Sequence, residues 1–264
     1  MAYTTIDDPS VYFQTAIYAG NGGSASITND GNSNLQPDWI WIKRRTNVGS
    51  NHQLQDTSRG LSKAIESNST STQYDSVTLT ATSDGFSMNS SAGSHNQSSN
   101  NYVAWQWKAN GGTTTTNDAS ATSVGSQDSV YQANTTSKFS IVTYGPLGSG
   151  GTIAHGLGVV PHVIWVKSLS GNRNWCVYHH RNTSAPETDF LSLDTTDATS
   201  DATVWNDTTP TSTVFSISGD GKVGTDETYV AYCFAEIQGY SKFGSYTGNG
   251  NADGPFIYLG FKPK

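Results

Sequence analysis

The segment Pro37-Asp38-Trp39-Ile40-Trp41-Ile42-Lys43 returns as Pro161-His162-Val163-Ile164-Trp165-Val166-Lys167, and a third copy opens at Pro263-Lys264. A proline followed by aromatic and β-branched residues and closed by lysine is too short and too β-rich for a helix. It reads as a buried strand, with the proline at the first position, where its missing N–H does least harm to a ladder. A second landmark behaves the same way: Tyr102-Val103-Ala104-Trp105-Gln106-Trp107 is matched by Tyr229-Val230-Ala231-Tyr232-Cys233-Phe234. The prolines lie 124 residues apart and the tyrosines 127 apart. Two landmarks at nearly one offset make the chain a tandem array.

The filling between the landmarks fits the same class. Alternating runs such as Phe13 to Tyr18, Val77 to Thr80, Phe86 to Met88, Phe139 to Tyr144 and Val214 to Ile217 are punctuated by Gly, Asn and Asp turns. Strands at that spacing predict an all-β protein of tandem antiparallel β-sandwich domains, jelly-roll or concanavalin-like. The predicted organisation is an N-terminal arm (1–11) that needs a partner to be ordered and a first sandwich repeat (12–109). A Ser/Thr/Asn/Gly-rich linker (110–137) with a short strand near Ser129 leads to a second repeat (138–240). Residues 241–264 begin a third repeat or form a strand-swapped hairpin. In the closing strand of the first repeat, alternation puts Tyr102, Ala104 and Gln106 on one face and Val103, Trp105 and Trp107 on the other, which is read as the core side.

Charged residues make up 13% of the 264, against roughly 25% in an ordinary domain. The polarity comes from Ser, Thr, Asn and 27 Gly. A net charge of −7 argues against sequence-independent binding to nucleic acid or an anionic membrane. No apolar run approaches the roughly 18 residues that span a bilayer, and the N-terminus has neither the basic start nor the apolar middle of a signal peptide. Synthesis in a cytoplasm, without membrane insertion, is the expectation. The two cysteines, Cys176 and Cys233, read as buried thiols, with a disulfide between neighbouring strands as the alternative.

Candidate chemistry centres on His52, Asp56 and Arg59, where a carboxylate, a cation and nearby tryptophans would suit glycan binding or acid/base work. The competing reading is an Asp56 to Arg59 salt bridge bracing the loop after the anchor strand. The second repeat has no Asp-Thr-Ser-Arg-Gly there and carries Tyr178-His179-His180-Arg181 instead, so a site of that kind would belong to one repeat only, and Tyr178 and His179 stand as separate binding candidates. Tyr102 is a candidate sugar-stacking platform or inter-subunit contact. His179 and His180 are adjacent and on a strand point to opposite faces, so they do not clasp one metal, and no metal or other cofactor is expected. Aspartate turns such as Asp194 to Asp197 and Gly219-Asp220-Gly221 leave Ca²⁺ open, without EF-hand spacing. Among Glu66, Glu187, Glu227 and Glu236 no catalytic pair is visible.

Residues 1–45, the His52 to Gly60 stretch, Tyr102 to Ala109 and Tyr229 to Gly250 together resemble a repeat family of marine tailed-bacteriophage virion proteins, tail-fibre-like or lectin-like with a laminin-G or SPRY type sandwich. The resemblance implies a non-enzymatic virion protein, a tail or head fibre or adhesin that contacts the host surface, with glycans as one route of contact. It names no catalytic residues. A fibre must cover its exposed strand edges, so a homo-oligomer, a trimer first, is expected, with other virion proteins met through the N-terminal arm. The alternatives are a polysaccharide depolymerase and a capsid decoration or tail-completion protein.

Overall fold

The computed structural model describes residues 4–46, 49–225 and 228–263. Its first unit contains β1 (Phe13–Ala19), β2 (Ser24–Thr28), β3 (Trp39–Arg44), β4 (Gln53–Asp56), β5 (Lys63–Glu66), β6 (Tyr74–Asp75), β7 (Leu79–Thr82), β8 (Gly85–Asn89) and β9 (Asn101–Trp107). The second contains β10 (Thr115–Asn117), β11 (Ser129–Asn134), β12 (Phe139–Tyr144), β13 (Gly150–Ala154), β14 (Val163–Ser168), β15 (Cys176–His179), β16 (Asp189–Phe190), β17 (Ser200–Asp201), β18 (Val214–Ser218) and β19 (Tyr229–Phe234). The fold is all-β and antiparallel, and the internal repeat is topological. The large sheets run β1-β9-β3-β4-β5-β6 and β10-β11-β12-β19-β14-β15, so β1-β9-β3-β4 and β12-β19-β14-β15 are the same four-strand arrangement. Each is backed by a small sheet, β2-β8-β7 in one unit and β13-β18 in the other.

The repeat extends to single atoms. Tyr102 stacks on Tyr18 with ring centres 5.2 Å apart and donates its hydroxyl hydrogen to the Gly93 carbonyl at 3.0 Å. Tyr229 stacks on Tyr144 at 5.2 Å and donates to the Gly221 carbonyl at 2.9 Å. In both units the closing strand thus ties the sandwich interior to the loop before it. The hairpin into β8 depends on Gly85, whose φ is +103° and whose added Cβ would stand 2.0 Å from the Ile27 carbonyl oxygen. Gly85→Ala is expected to destabilise the protein by about 1–3 kcal/mol, the range for a side chain forced into a sparsely populated conformation, and urea denaturation measures it.

Three cores account for the layers. The first lies between the small and large sheets of unit one and takes Ala16, Ile40, Ile42, Phe86, Tyr102 and Ala104. Its counterpart in unit two takes Val142, Ile164, Val166, Phe215, Tyr229 and Ala231. The third joins Trp39, Leu54 and Ile65 of unit one to Phe139, Trp175, Val230 and Tyr232 of unit two. The two large sheets therefore face each other, and the molecule is a four-layer stack. This corrects the predicted face of β9. Its Tyr102, Ala104 and Gln106 side is the sandwich interior, while the tryptophan side belongs to the junction between units. The tryptophan face is itself half-buried, and alternation alone does not rank the two faces.

The predicted linker is also corrected. Residues 115–117 and 129–134 are β10 and β11, the outer strands of the second large sheet. The short strand expected near Ser129 is the start of β11; polar composition conceals its full extent and β10, because the partners are distant in sequence: the Gln132 amide donates to Thr57 Oγ1 at 2.9 Å and Ser58 Oγ at 2.7 Å, and that of Asn134 to the Ala109 carbonyl at 3.0 Å. The described part of the arm is docked as well. Ile6 is buried, and Asp8 Oδ2 accepts the Ser33 hydroxyl hydrogen at 2.7 Å. Beyond Ser241 no strand forms among the described residues, so the predicted hairpin is absent there. Cys176 and Cys233 are free, buried and separated by β14, and burial pushes the Cys233 thiol up to about 12.

Candidate functional site

Of the residues singled out in the sequence, Asp56 and Arg59 lie at the junction between units, and the others lie apart from it. The stretch His52 to Gly60 is not all loop: Gln53 to Asp56 form β4 with all four residues buried. The inward glutamine of this strand is satisfied. Gln55 gives its amide hydrogens to the Leu61 and Val77 carbonyls, and its Oε1 lies 2.8 Å from His95 Nε2. β4 places Asp56 opposite Trp39, at the floor of the junction.

There Asp56 Oδ2 accepts from Arg59 Nε at 2.6 Å and from the Tyr232 hydroxyl of unit two at 2.7 Å. The Arg59 guanidinium also donates to Gln73 Oε1 at 2.9 Å and to the Leu54 carbonyl at 3.2 Å. The two charged side chains are 2% and 0% exposed. Burial works against the Arg59 cation, but the Asp56 carboxylate and the Tyr232 oxygen outweigh it and raise the Arg59 pKa. Asp56 and Arg59 thus find their partners within the protein and away from solvent. They tie one sandwich to the other.

His52 lies apart from that node. Its Nδ1 accepts from Trp41 Nε1 at 2.8 Å, and burial followed by the nearby Lys43 charge lowers its pKa, so the ring is a neutral acceptor. Tyr102 and Tyr178 are fully buried core residues, the latter edge-on to Trp205, and neither is a stacking platform. His179 is half-buried, and its Nδ1 accepts from the Arg181 backbone N–H at 3.1 Å.

The structure also gathers groups that the sequence scattered. The residue after each anchor proline braces the segment that follows the closing strand. Asp38 Oδ2 accepts from the Ala109 and Gly111 N–H groups at 2.7 and 2.8 Å, and His162 Nδ1 accepts from Glu236 N–H at 3.0 Å. The repeat keeps the role and changes the chemistry, from carboxylate to imidazole. His162 lies 4.4 Å from His180, centre to centre, and His180 Nε2 lies 3.5 Å from Glu236 Oε1. Burial, then the His180 charge, lowers the His162 pKa. Among the described residues no group of three or more His, Cys, Asp or Glu side chains has metal-holding geometry. Of the proposed Ca²⁺ turns, Asp194 accepts from the Trp175 N–H at 3.0 Å, and Asp220 pairs with Lys222 at 3.4 Å. Glu227 lies outside the described residues.

One feature of the junction remains open. A cavity of about 230 Å³ lies at its edge, lined by Phe13 and Trp107 of unit one, Phe139, Trp165 and Phe234 of unit two, and Phe243 beyond them. Ser137 also lines it, and its buried hydroxyl has no hydrogen-bond partner within the protein. Phe13 and Phe139 are equivalent positions of the two units, as are Trp107 and Phe234, so the repeat itself builds the cavity. No contiguous motif could have shown it, because the lining comes from five strands and two units.

Fold and junction together define a doubled antiparallel β-sandwich protein, with its two units fused across their large sheets. The chain belongs to the DUF7483 family, a domain of unknown function, which matches residues 8–264. No curated protein and no solved structure matches it.

Proposed function

We propose that this chain is a non-enzymatic bacteriophage virion component, a tail or head fibre or adhesin that self-associates and contacts the host surface. The observation that supports it best is the use of Asp56 and Arg59. The most reactive-looking residues of the chain are consumed as a buried tie between two sandwiches, which builds a rigid block instead of a reaction centre. The surface left outside is rich in Ser, Thr, Asn and Gly and poor in charge, a composition suited to contacts with neutral polar matter such as polysaccharide. The sequence resemblance supplies the setting, a phage particle, and the reading takes that setting from it.

Binding of the labelled protein to immobilised envelope polysaccharide from marine bacteria tests the reading. Saturable retention with no new reducing ends is expected. Release of oligosaccharide would instead establish a depolymerase, and failure to bind any surface while the protein co-purifies with particles would leave a decoration or completion role.

A further inference from the structure

The two large sheets differ at one edge. In unit two β12 is flanked on its outer side by β11 and β10, whereas in unit one the equivalent strand, β1, ends the sheet. Phe13 and Phe139 pair with Trp107 and Phe234, and Tyr18 and Tyr144 with Tyr102 and Tyr229, so Thr15, Ala16 and Ile17 stand where Ile141, Val142 and Thr143 stand in the repeat. The arm does not supply the missing strand. Residues 4–8, in the place of 130–134, form no strand, and Asp8 is engaged by Ser10 and Ser33. The Tyr12 carbonyl accepts from the Lys108 N–H at 2.9 Å, and the Gly20 N–H donates to the Asn100 carbonyl at 2.8 Å. By the alternation of an antiparallel ladder, the even-numbered residues of β1 therefore bond β9, and Phe13, Thr15, Ile17 and Ala19 turn their backbone groups outward. Among the described residues nothing pairs with the outer backbone of Thr15, Ile17 or Ala19. Natural edges are blunted by charge, proline or a bulge. β1 has no charged residue and no proline, and it pairs with β9 without a break. Its Ile17 is 67% exposed, the one large apolar side chain so exposed in any described strand.

We propose that β1 of a second copy of this chain pairs antiparallel with this edge, about a two-fold axis at Ile17. Unit two shows what fits there: Ser129, Val130 and Tyr131 of β11 lie opposite Tyr144, Thr143 and Val142. With the axis at Ile17, Ala16, Ile17 and Tyr18 of the second copy lie opposite Tyr18, Ile17 and Ala16, the positions equivalent to those three. A small residue, a β-branched residue and a tyrosine thus fall in the same order at the same places, so β1 carries the pattern of its own missing neighbour. The pairing sets Ile17 against Ile17 and Thr15 against Ala19 on either side, with no charge in the contact. The Phe13 end, which shares a cleft with Tyr240 and Phe261, is left out of it. A two-fold contact is isologous and closes at a dimer, here by joining two six-stranded sheets into one. The inference rests on the self-associating part of the function proposed above and needs no host contact.

Light scattering over a concentration series reaching on the order of 100 µM, a range suited to an interface of the small class, is the first test. Wild-type mass is expected to rise with concentration to that of a dimer and stop there. Ile17→Lys, which sets two lysines against each other at the axis, is expected to stay monomeric with an unchanged melting temperature. Cysteine substitution reads the register. In a hydrogen-bonded antiparallel pair the Cα atoms are about 5.5 Å apart, within the span of a disulfide. Under mild oxidation Ile17→Cys should give a covalent dimer, Thr15→Cys alone none, and a mixture of Thr15→Cys with Ala19→Cys a covalent pair. The native Cys176 and Cys233 are buried and leave that background clean. A wild type that is monomeric throughout overturns the proposal, as does an Ile17→Lys variant that associates as the wild type does. Crosslinking of Thr15→Cys as fast as Ile17→Cys overturns the register and with it the two-fold pairing. A monomeric wild type whose recovery on particles is abolished by Ile17→Lys also overturns it and gives the edge to a strand of another protein. Loss of polysaccharide retention with dimerisation intact would count against the adhesive reading alone.

Discussion

Arg59→Ala is expected to lower the unfolding free energy by about 3–5 kcal/mol, the cost of leaving one member of a buried ion pair without its partner. The Asp56 carboxylate would keep the Tyr232 hydroxyl but lose the Arg59 Nε donor at 2.6 Å, in surroundings where neither charged side chain meets water. Tyr232→Phe removes one hydrogen bond to a charged acceptor and should cost less, about 1.5–3 kcal/mol. Because Asp56 and Arg59 sit in unit one and Tyr232 in unit two, the loss should fall on the whole molecule. Urea denaturation followed by tryptophan fluorescence and by far-ultraviolet circular dichroism should give one coincident transition for wild type and Tyr232→Phe. Two separated transitions would show that the units fold independently and that the junction is a weak contact. A loss below about 0.5 kcal/mol for Arg59→Ala would mean that the pair is worth no more than one on the surface.

The second large effect is acid sensitivity between pH 6.5 and 4. His95 and His155 are fully buried, and burial lowers the pKa of each from 6.5 to about 4. Their hydrogen bonds require the neutral ring. His95 donates from Nε2 to Gln55 Oε1 at 2.8 Å and accepts at Nδ1 from the Ser94 hydroxyl at 2.7 Å. His155 faces the Thr211 carbonyl with Nε2 at 3.2 Å and accepts the Leu157 N–H at Nδ1, also at 3.2 Å. A second ring proton would meet the Leu157 N–H donor at His155, while at His95 the cost is that of placing a charge in a fully buried site. The unfolded chain takes up these protons near pH 6.5 and the folded chain only near 4. The stabilisation is therefore complete above about 6.5 and is lost as the pH falls toward 4, by about 3 kcal/mol for each histidine. Together these losses rival the 5–15 kcal/mol of a typical domain. Denaturation at pH 7, 6 and 5 should show stability falling by about 2–3 kcal/mol per unit between pH 6 and 5, and His155→Gln should roughly halve that slope. A flat profile for the wild type would mean that one or both rings are solvated.

Neither histidine is distinguishable in the sequence. Each stands alone in a turn-rich stretch, and the partners of His95 and His155 that matter most, Gln55 and Thr211, are 40 and 56 residues away. The same distance problem hid β4. Gln53 and Gln55 look like loop residues until the groups that satisfy their amides are in place. The strands that were legible, such as β1, β3, β9, β12, β14 and β19, have alternating or continuous apolar runs bounded by turns, a local signature.

The sequence by itself determined the repeat, its phase and the all-β class, because a proline-led apolar strand and a tyrosine-led closing strand are short-range patterns that survive without context. Only the tertiary structure decided which of two apolar faces became the sandwich interior and which the junction. A strand buried on both sides shows the same alternation whichever sheet covers which face. That choice turned Asp56 and Arg59 from a candidate site into a tie between units, and it left the aromatic cavity where the two copies of one strand pattern meet.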